Sequence, residues 1–351
     1  MKKLLLPIFS ATLLISCGTA NISGDRQNQN QNISSSNSNN EKAFNKAYQQ
    51  IKLKDLKKNL YVIASDEMEG RDTGSPGQKK AGEYIVKFYK NLGISFPKNL
   101  TSYYQKVPSS YMNKRGGGNL PDSENILAFI EGSEKPEEII VISAHYDHVG
   151  TKNGEVYNGA DDDGSGTVAV MQIAKAFQNV KKKGNGPKRS ILFLHVTGEE
   201  HGLFGSSYYS DNPVFPLANT VADLNIDMIG RDDIANRGKN YVYVIGSEML
   251  SSELKIINEA ANKKTNNLEL NYKYDDPKDP DRLYYRSDHY NFAKHGIPVA
   301  FFFDGIHEDY HKSTDDVEKI DFPLLQKRTQ LVFATAWELA NREARIVVDK
   351  K

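Results

Sequence analysis

The chain has 351 residues, 38% of them hydrophobic and 26% charged, which is enough for one large α/β domain or two small ones. Its 45 basic and 45 acidic side chains cancel, and the lysines and arginines are scattered, which argues against nucleic acid or an anionic surface as the main partner. A single cysteine, Cys17, excludes an internal disulfide.

Met1-Lys2-Lys3 supplies a positive start, and Leu4 to Ile15 an apolar core too short to span a bilayer as a stable helix. Residues 1–16 therefore read as a secretory signal peptide. The stretch Leu14-Ile15-Ser16-Cys17-Gly18 resembles the lipobox of bacterial lipoproteins, and the resemblance implies that Cys17 is lipidated and becomes the mature N-terminus. An exported chain with one cysteine has no cross-linking use for it; a leftover cysteine in a cleaved peptide is the bland alternative. Residues 18–41 are almost wholly Asn, Ser, Gln, Gly and Thr and cannot bury enough surface to fold, so 17–41 reads as a lipidated end and a flexible tether. The expectation is a domain, residues 42–351, exported and held by its lipid at a membrane, in the periplasm or at the cell surface.

Ala43 to Leu60 has a weak helical pattern. Ala64 to Gly77 is rich in turn residues, and from Gln78 a helix follows with Ala81, Tyr84, Ile85, Phe88 and Leu92 on one face and Gly93 at its stop. Asn125 to Ile130 reads as a strand. Ile139 to Ala144 is a short β-branched run and reads as a buried central strand, ending in His145-Tyr146-Asp147-His148. Asn158-Gly159-Ala160-Asp161-Asp162-Asp163-Gly164-Ser165-Gly166 follows, then helical spacing from Thr167 to Gln178, closed by the loop Lys181 to Pro187. Further strands are expected at Ile191 to Val196, Val221 to Ile226, Tyr241 to Ile245 and Val299 to Phe303, with helices at Ser251 to Thr265 and Phe322 to Arg345. Strands alternating with helices in this way predict an open α/β fold, a mostly parallel central sheet with helices on both faces.

Four of these strands deliver polar residues at their carboxyl ends: His145 and Asp147, then Glu199 and Glu200, then Asp227, then His311. Open α/β sheets place ligands at that edge. Three adjacent acids repel one another in a dry site, and a cation is the simplest remedy; a solvated acidic turn capping the next helix is the plainer reading of the same loop. Repetition at strand ends outweighs each residue taken alone.

His145-x-Asp147, the Gly159 to Gly166 loop, Glu199-Glu200, Asp227-Met228 and Tyr310-His311 resemble, in order and spacing, the M28 family of zinc exopeptidases. Glu69-Gly70-Arg71-x-Thr73-Gly74-Ser75-Pro76-Gly77 and Ser287-Asp288-His289 are similar to that family too, so the likeness spans roughly residues 55–345. It implies a phosphorylase/hydrolase-like α/β sandwich with two Zn²⁺ ions, Asp162 shared between them, His145 and Asp227 completing one set and Glu200 and His311 the other. Two dications against three carboxylates leave one positive charge, suited to holding a hydroxide. Cobalt or manganese also fits such ligands. The resemblance implies Glu199 as general base, Asp147 as the acceptor that orients His145, and Tyr284 as a phenol steadying the oxyanion.

His148, His195, His201, His289, His295 and His307 have no matching ligand position and read as packed or surface residues. Asp161 and Asp163 read as shaping the loop, and Asp288 and Asp315 as outer supports or helix caps. The expected activity is aminopeptidase hydrolysis of peptides. A one-zinc glutaminyl-peptide cyclotransferase, a carboxypeptidase using Arg286 to hold a terminal carboxylate, and a silent binding lipoprotein are the rivals; the presence of Glu199 weighs against the last.

Overall fold

The computed structural model describes residues 39–350. The signal peptide, Cys17 and nearly all of the tether read from the sequence lie outside the described residues.

Helices α1 (residues 39–48) and α2 (Leu53–Ile63) divide the single helix expected over Ala43 to Leu60. The break falls at Ile51, whose side chain is buried while its carbonyl accepts the side-chain amide of Gln326 at 2.8 Å. Helix α3 (Pro76–Leu92) begins where Ser75 caps the Gln78 amide and ends at Gly93, which is left-handed at φ 67°. There follow β1 (Tyr104–Val107), α4 (Ser109–Lys114), β2 (Ser123–Ile130), β3 (Lys135–His145), a small hairpin of β4 (Thr151–Lys152) and β5 (Glu155–Val156), and α5 (Gly166–Lys181). The rest comprises β6 (Arg189–Val196), α6 (Phe204–Asp211), β7 (Thr220–Ile226), β8 (Tyr241–Ile245), α7 (Leu254–Lys264), β9 (Glu269–Asn271), α8 (Tyr290–Ala293), β10 (Val299–Phe303) and α9 (Phe322–Asn341).

Eight strands form one sheet in the order β1-β2-β6-β3-β7-β10-β8-β9. The central four, β6, β3, β7 and β10, run parallel; β1, β2 and β8 join antiparallel, and β9 pairs parallel with β8. Ile139 to Ala144 and all of β6 are buried because each face of the sheet is covered. On one face Ile140, Ile142, Phe193, Leu224 and Phe302 pack against α2, α3, α5, α7 and α9. On the other, Ile139, Val141, Leu192 and Leu194 meet Tyr209 of α6 and Phe292 of α8. Each such fully buried apolar side chain contributes about 1.5–3 kcal/mol.

Helix α9 starts at Asp321, which caps the Leu324 amide, and stops four residues short of the expected Arg345. The buried guanidinium of Arg189 takes the carbonyls of Leu339, Arg342 and Glu343, which draws the chain out of the helix there. Among the described residues no helix is long and apolar enough to cross a membrane.

Candidate metal centre

Because β6, β3, β7 and β10 are adjacent and parallel, their carboxyl ends open at one edge of the sheet. His145 is the last residue of β3 and Asp227 the first beyond β7; Glu199 and Glu200 follow β6, and the loop after β10 carries His307 and His311. Met228 (φ 58°) and His311 (φ 55°) adopt left-handed backbone, which costs energy at residues other than Gly and tends to gather at functional sites.

Asp162 stands at the centre of these side chains. Its Oδ1 lies 3.2 Å from Nε2 of His145, and its Oδ2 3.1 Å from Nε2 of His311. On the first side Asp227 Oδ1 is 3.5 Å from His145 Nε2. On the second, Glu200 Oε2 is 2.9 Å from His311 Nε2, and His148 places Nδ1 2.7 Å from Glu200 Oε1. Glu199 stays further out, with Oε2 4.0 Å from His145 Nε2.

His145 Nε2, both ring nitrogens of His148, Asp162 Oδ2, Asp163 Oδ2 and Glu200 Oε1 are buried without an aligned hydrogen bond. One buried unsatisfied polar atom costs about 1–3 kcal/mol, and more when charged, so several facing one another call for a common partner. Their atoms gather into two groups, His145 with Asp163 and Asp227, and His148 with Asp162 and Glu200, each within 4.8 Å. Mixed imidazole and carboxylate donors match zinc. The residues present therefore fit the metal.

Carboxylates outnumber imidazoles here, and the titration behaviour follows. Burial opposes a charge on His145, but the carboxylates of Asp227 and Glu199 outweigh it and hold the ring well above its ordinary pKa. His311 is raised to about 10, burial again being overcome by Asp162 and Glu200. Burial would raise Asp162, yet hydrogen bonds from His145 and His311 hold it well below the carboxylate range. Glu199 moves up, through burial first and then the nearby charges of Asp227 and Glu200.

A second layer of bonds holds these residues in place. Arg71, fully buried, donates to the carbonyls of Tyr146, Ile63, Asn158 and Gly159, so one guanidinium latches the His145 loop to the acidic loop. Asp315 accepts the backbone amides of Asp161 and Asp162 at 3.0 and 3.1 Å. Asp163 Oδ1 accepts from Gly166 and Met228, Asp161 Oδ1 from Gly230, and Ser287 donates to Asp227 Oδ2 at 2.7 Å.

The structure brings His145, Asp162, Glu199, Glu200, Asp227 and His311 together. It corrects Asp147: the main-chain carbonyl of Asp147 faces His145 Nδ1 at 3.1 Å, while the carboxylate is 3.8 Å away and is engaged by Thr73 Oγ1 and the Glu199 amide. The turn after β3 folds the carbonyl back first. Tyr284 is also displaced from its expected place; it packs against Gly246, Tyr285, His289 and Tyr290. The phenol that lines the cleft is Tyr310, whose ring stacks on His311 at 3.9 Å. His195 and His289 are packed as expected, the first against the Tyr89 hydroxyl at 2.7 Å and the second on Phe301. His148, expected to be a packed or surface residue, instead faces Glu200; its position three residues after His145 in one strand-end loop is the signal in the sequence. Above Asp162, Glu199 and Asp227 the cleft is walled by Met228, Leu283, Phe301, Phe303 and Ile306, with Arg286 exposed among them.

Residues 125–336, more than half of the chain, match peptidase family M28, and the chain belongs to that family. It is 28% identical over 266 residues to a probable zinc metalloprotease of Pyrenophora teres f. teres, covering 63% of this chain and 52% of that one. It is 30% identical over 223 residues to a probable leucine aminopeptidase of Trichophyton verrucosum, covering 62% and 57%. The chain thus spans about half the length of the curated relatives it matches. In fold it is similar to the LapA aminopeptidase of Legionella pneumophila, with a TM-score of 0.65 at 20% identity over 86% of this chain and 75% of that one. The glutaminyl cyclase of Porphyromonas gingivalis gives 0.61 at 17% identity over 81% and 97%.

Proposed function

We propose that this chain is a zinc exopeptidase that removes residues from the amino end of peptides, with two ions sharing Asp162. The observation that carries the reading is the position of the Asp162 carboxylate, one oxygen facing His145 beside Asp227 and the other facing His311 beside Glu200. His145, Asp227 and Asp162 would hold one ion, and Asp162, Glu200 and His311 the other. Zinc supplies Lewis acidity there, polarising the scissile carbonyl and lowering the pKa of water.

The protein's own part is proton transfer and positioning. Glu199 lines the cleft beside Asp162 and Asp227 but stands back from the donor groups, so its carboxylate is free to take a proton from the attacking water and return it to the leaving amine. Tyr310 presents a phenol to the same cleft and is the better candidate than Tyr284 for steadying a developing oxyanion. Glu199 and Asp227 attract a free α-amine, and the apolar wall of Met228, Leu283, Phe301, Phe303 and Ile306 suits an apolar terminal side chain. Arg286 favours a second reading: among the described residues its exposed guanidinium has no side-chain partner, and it could hold a terminal carboxylate.

Purified protein with measured zinc content is assayed on aminoacyl-nitroanilides, N-acetylated copies, carboxyl-terminal peptides and N-terminal glutaminyl peptides. Release from the free-amine substrates alone is the expected result. Cleavage at the carboxyl end of the blocked peptide would establish the carboxypeptidase, and pyroglutamate without amino acid release would establish the cyclase.

A lipid on Cys17 and a site of action outside the cytoplasm belong to the same proposal, supported by the lipobox-like sequence. Cys17→Ala should abolish partitioning into the detergent phase; unchanged partitioning would remove the anchor.

A further inference from the structure

His148 is fully buried at the end of the β3 loop, yet neither ring nitrogen has an aligned hydrogen bond. Nδ1 lies 2.7 Å from Glu200 Oε1 and 3.8 Å from Asp162 Oδ2, and the ring meets that of His311 edge-on at 5.9 Å. A proximity of 2.7 Å that is out of line for an N–H donor is poor as a hydrogen bond. It is what two donor atoms show when both are aimed at a third point.

The ring is also held there by the backbone. Its own amide donates to the Arg71 carbonyl at 3.2 Å, and a Cβ at Gly159 would fall 2.5 Å from His148 Cγ. Gly159 itself is left-handed at φ 52° and its carbonyl is one of those held by Arg71. The ring therefore occupies a slot fitted between the two loops, with Nδ1 facing Glu200 and Asp162.

We propose that His148 is a direct ligand of the second ion, through Nδ1, so that His148, Asp162, Glu200 and His311 form a four-donor set. This rests on the two-ion reading above. The consequence is an asymmetric pair. The second site is closed by protein donors, as structural zinc sites are, while the first, with His145, Asp227 and the other oxygen of Asp162, borders the cleft and keeps room for substrate. The second ion should then be the last removed by a chelator.

The variant-free test is a crystal structure of the zinc-loaded protein with anomalous data. A His148 nitrogen about 2.0–2.1 Å from an ion supports the assignment. A ring more than 3 Å from either ion overturns it, as does a protein that binds no zinc in this group, which would also overturn the two-ion reading; two ions without His148 would leave that reading standing. In solution, folded His148→Gln, which keeps a side chain able to hydrogen-bond Glu200, should lose more than about 100-fold in affinity for one of its two ions. That exceeds the roughly 10–100-fold usual for an outer partner of a ligand. A smaller loss overturns the proposal. Because His148→Gln could unfold this buried slot, its circular dichroism is compared with wild type, and the zinc-loaded structure decides if it does.

Discussion

Two acidic clusters lie side by side behind the strand ends, and they are satisfied in opposite ways. Around Asp304 and Asp309 the protein supplies its own cations: Arg231 donates to Asp309, and its backbone amide to Asp304; Arg328 pairs with Asp304, and Lys319 with Asp309. Around Asp162, Glu200 and Asp227 the buried guanidinium of Arg71 gives its hydrogen bonds to main-chain carbonyls and leaves the carboxylates to imidazoles. Composition alone does not separate the two clusters. What separates them is the counter-charge: in the first the chain's own guanidinium and ammonium groups pair with the acids, while in the second, among the described residues, the carboxylates face only imidazoles and no Lys or Arg side chain pairs with them.

The largest effects are expected in the cluster that lacks lysine and arginine partners. Asp162→Asn should strip both ions and abolish turnover, whereas Glu199→Gln should retain zinc and lose about 10²–10⁴-fold in kcat, the scale of a general base. Metal analysis beside single-turnover kinetics reads both. If Asp161→Asn rather than Asp162→Asn emptied the site, the shared carboxylate would have been placed one residue off.

Arg328→Met attacks the closed cluster instead. It removes a fully buried guanidinium that pairs with Asp304 and donates to the carbonyls of Tyr241, Ile229 and Arg231, leaving these acceptors unmatched at about 1–3 kcal/mol each, which denaturant titration should read as a loss of folding stability. Zinc bound per folded molecule should not change. A stable Arg328→Met protein with depleted zinc would mean that the two clusters are one functional unit.

The gentlest probe is pH. In metal-stripped protein His311 is raised to about 10, so relative to an unfolded value near 6.5 its ion pairs with Asp162 and Glu200 stabilise the fold fully below about pH 6.5. That contribution fades as pH rises through 10. Zinc must displace the same proton, so affinity should rise with pH across this window and binding at pH 7 should release protons. Calorimetry in buffers of different ionisation enthalpy measures the release; zinc uptake with no proton release would show His311 to be neutral.

The sheet was legible because burial of a strand is written locally. Ile139 to Ala144, Ile191 to Val196 and Val299 to Phe303 are apolar runs that no exposed or half-exposed element would carry, and each is a central strand. Local pattern could not place the ends of α1 and α9, because the partners that hold the chain there, Gln326 for Ile51 and Arg189 for Leu339, come from 275 and 150 residues away. The short β1 and β9, paired at the sheet's edges, carried too little apolar pattern to be read at all.

Which residues stand at the four strand ends is legible along the chain, since motif spacing and the shared direction of parallel strands carry that information without knowledge of distant contacts. The sequence also carried the family, through five motifs in order. How those side chains face one another depends on the packed fold. It turned the carbonyl rather than the carboxylate of Asp147 toward His145, put Tyr310 in the cleft where Tyr284 was expected, and brought His148 against Glu200. Each outcome depends on the orientation of a loop held from elsewhere. Arg71 makes the point most directly, because it holds Tyr146 from 75 residues away and Gly159 from 88. Directional bonds between distant segments set where a donor atom points to within an ångström, and no periodicity in the sequence carries that.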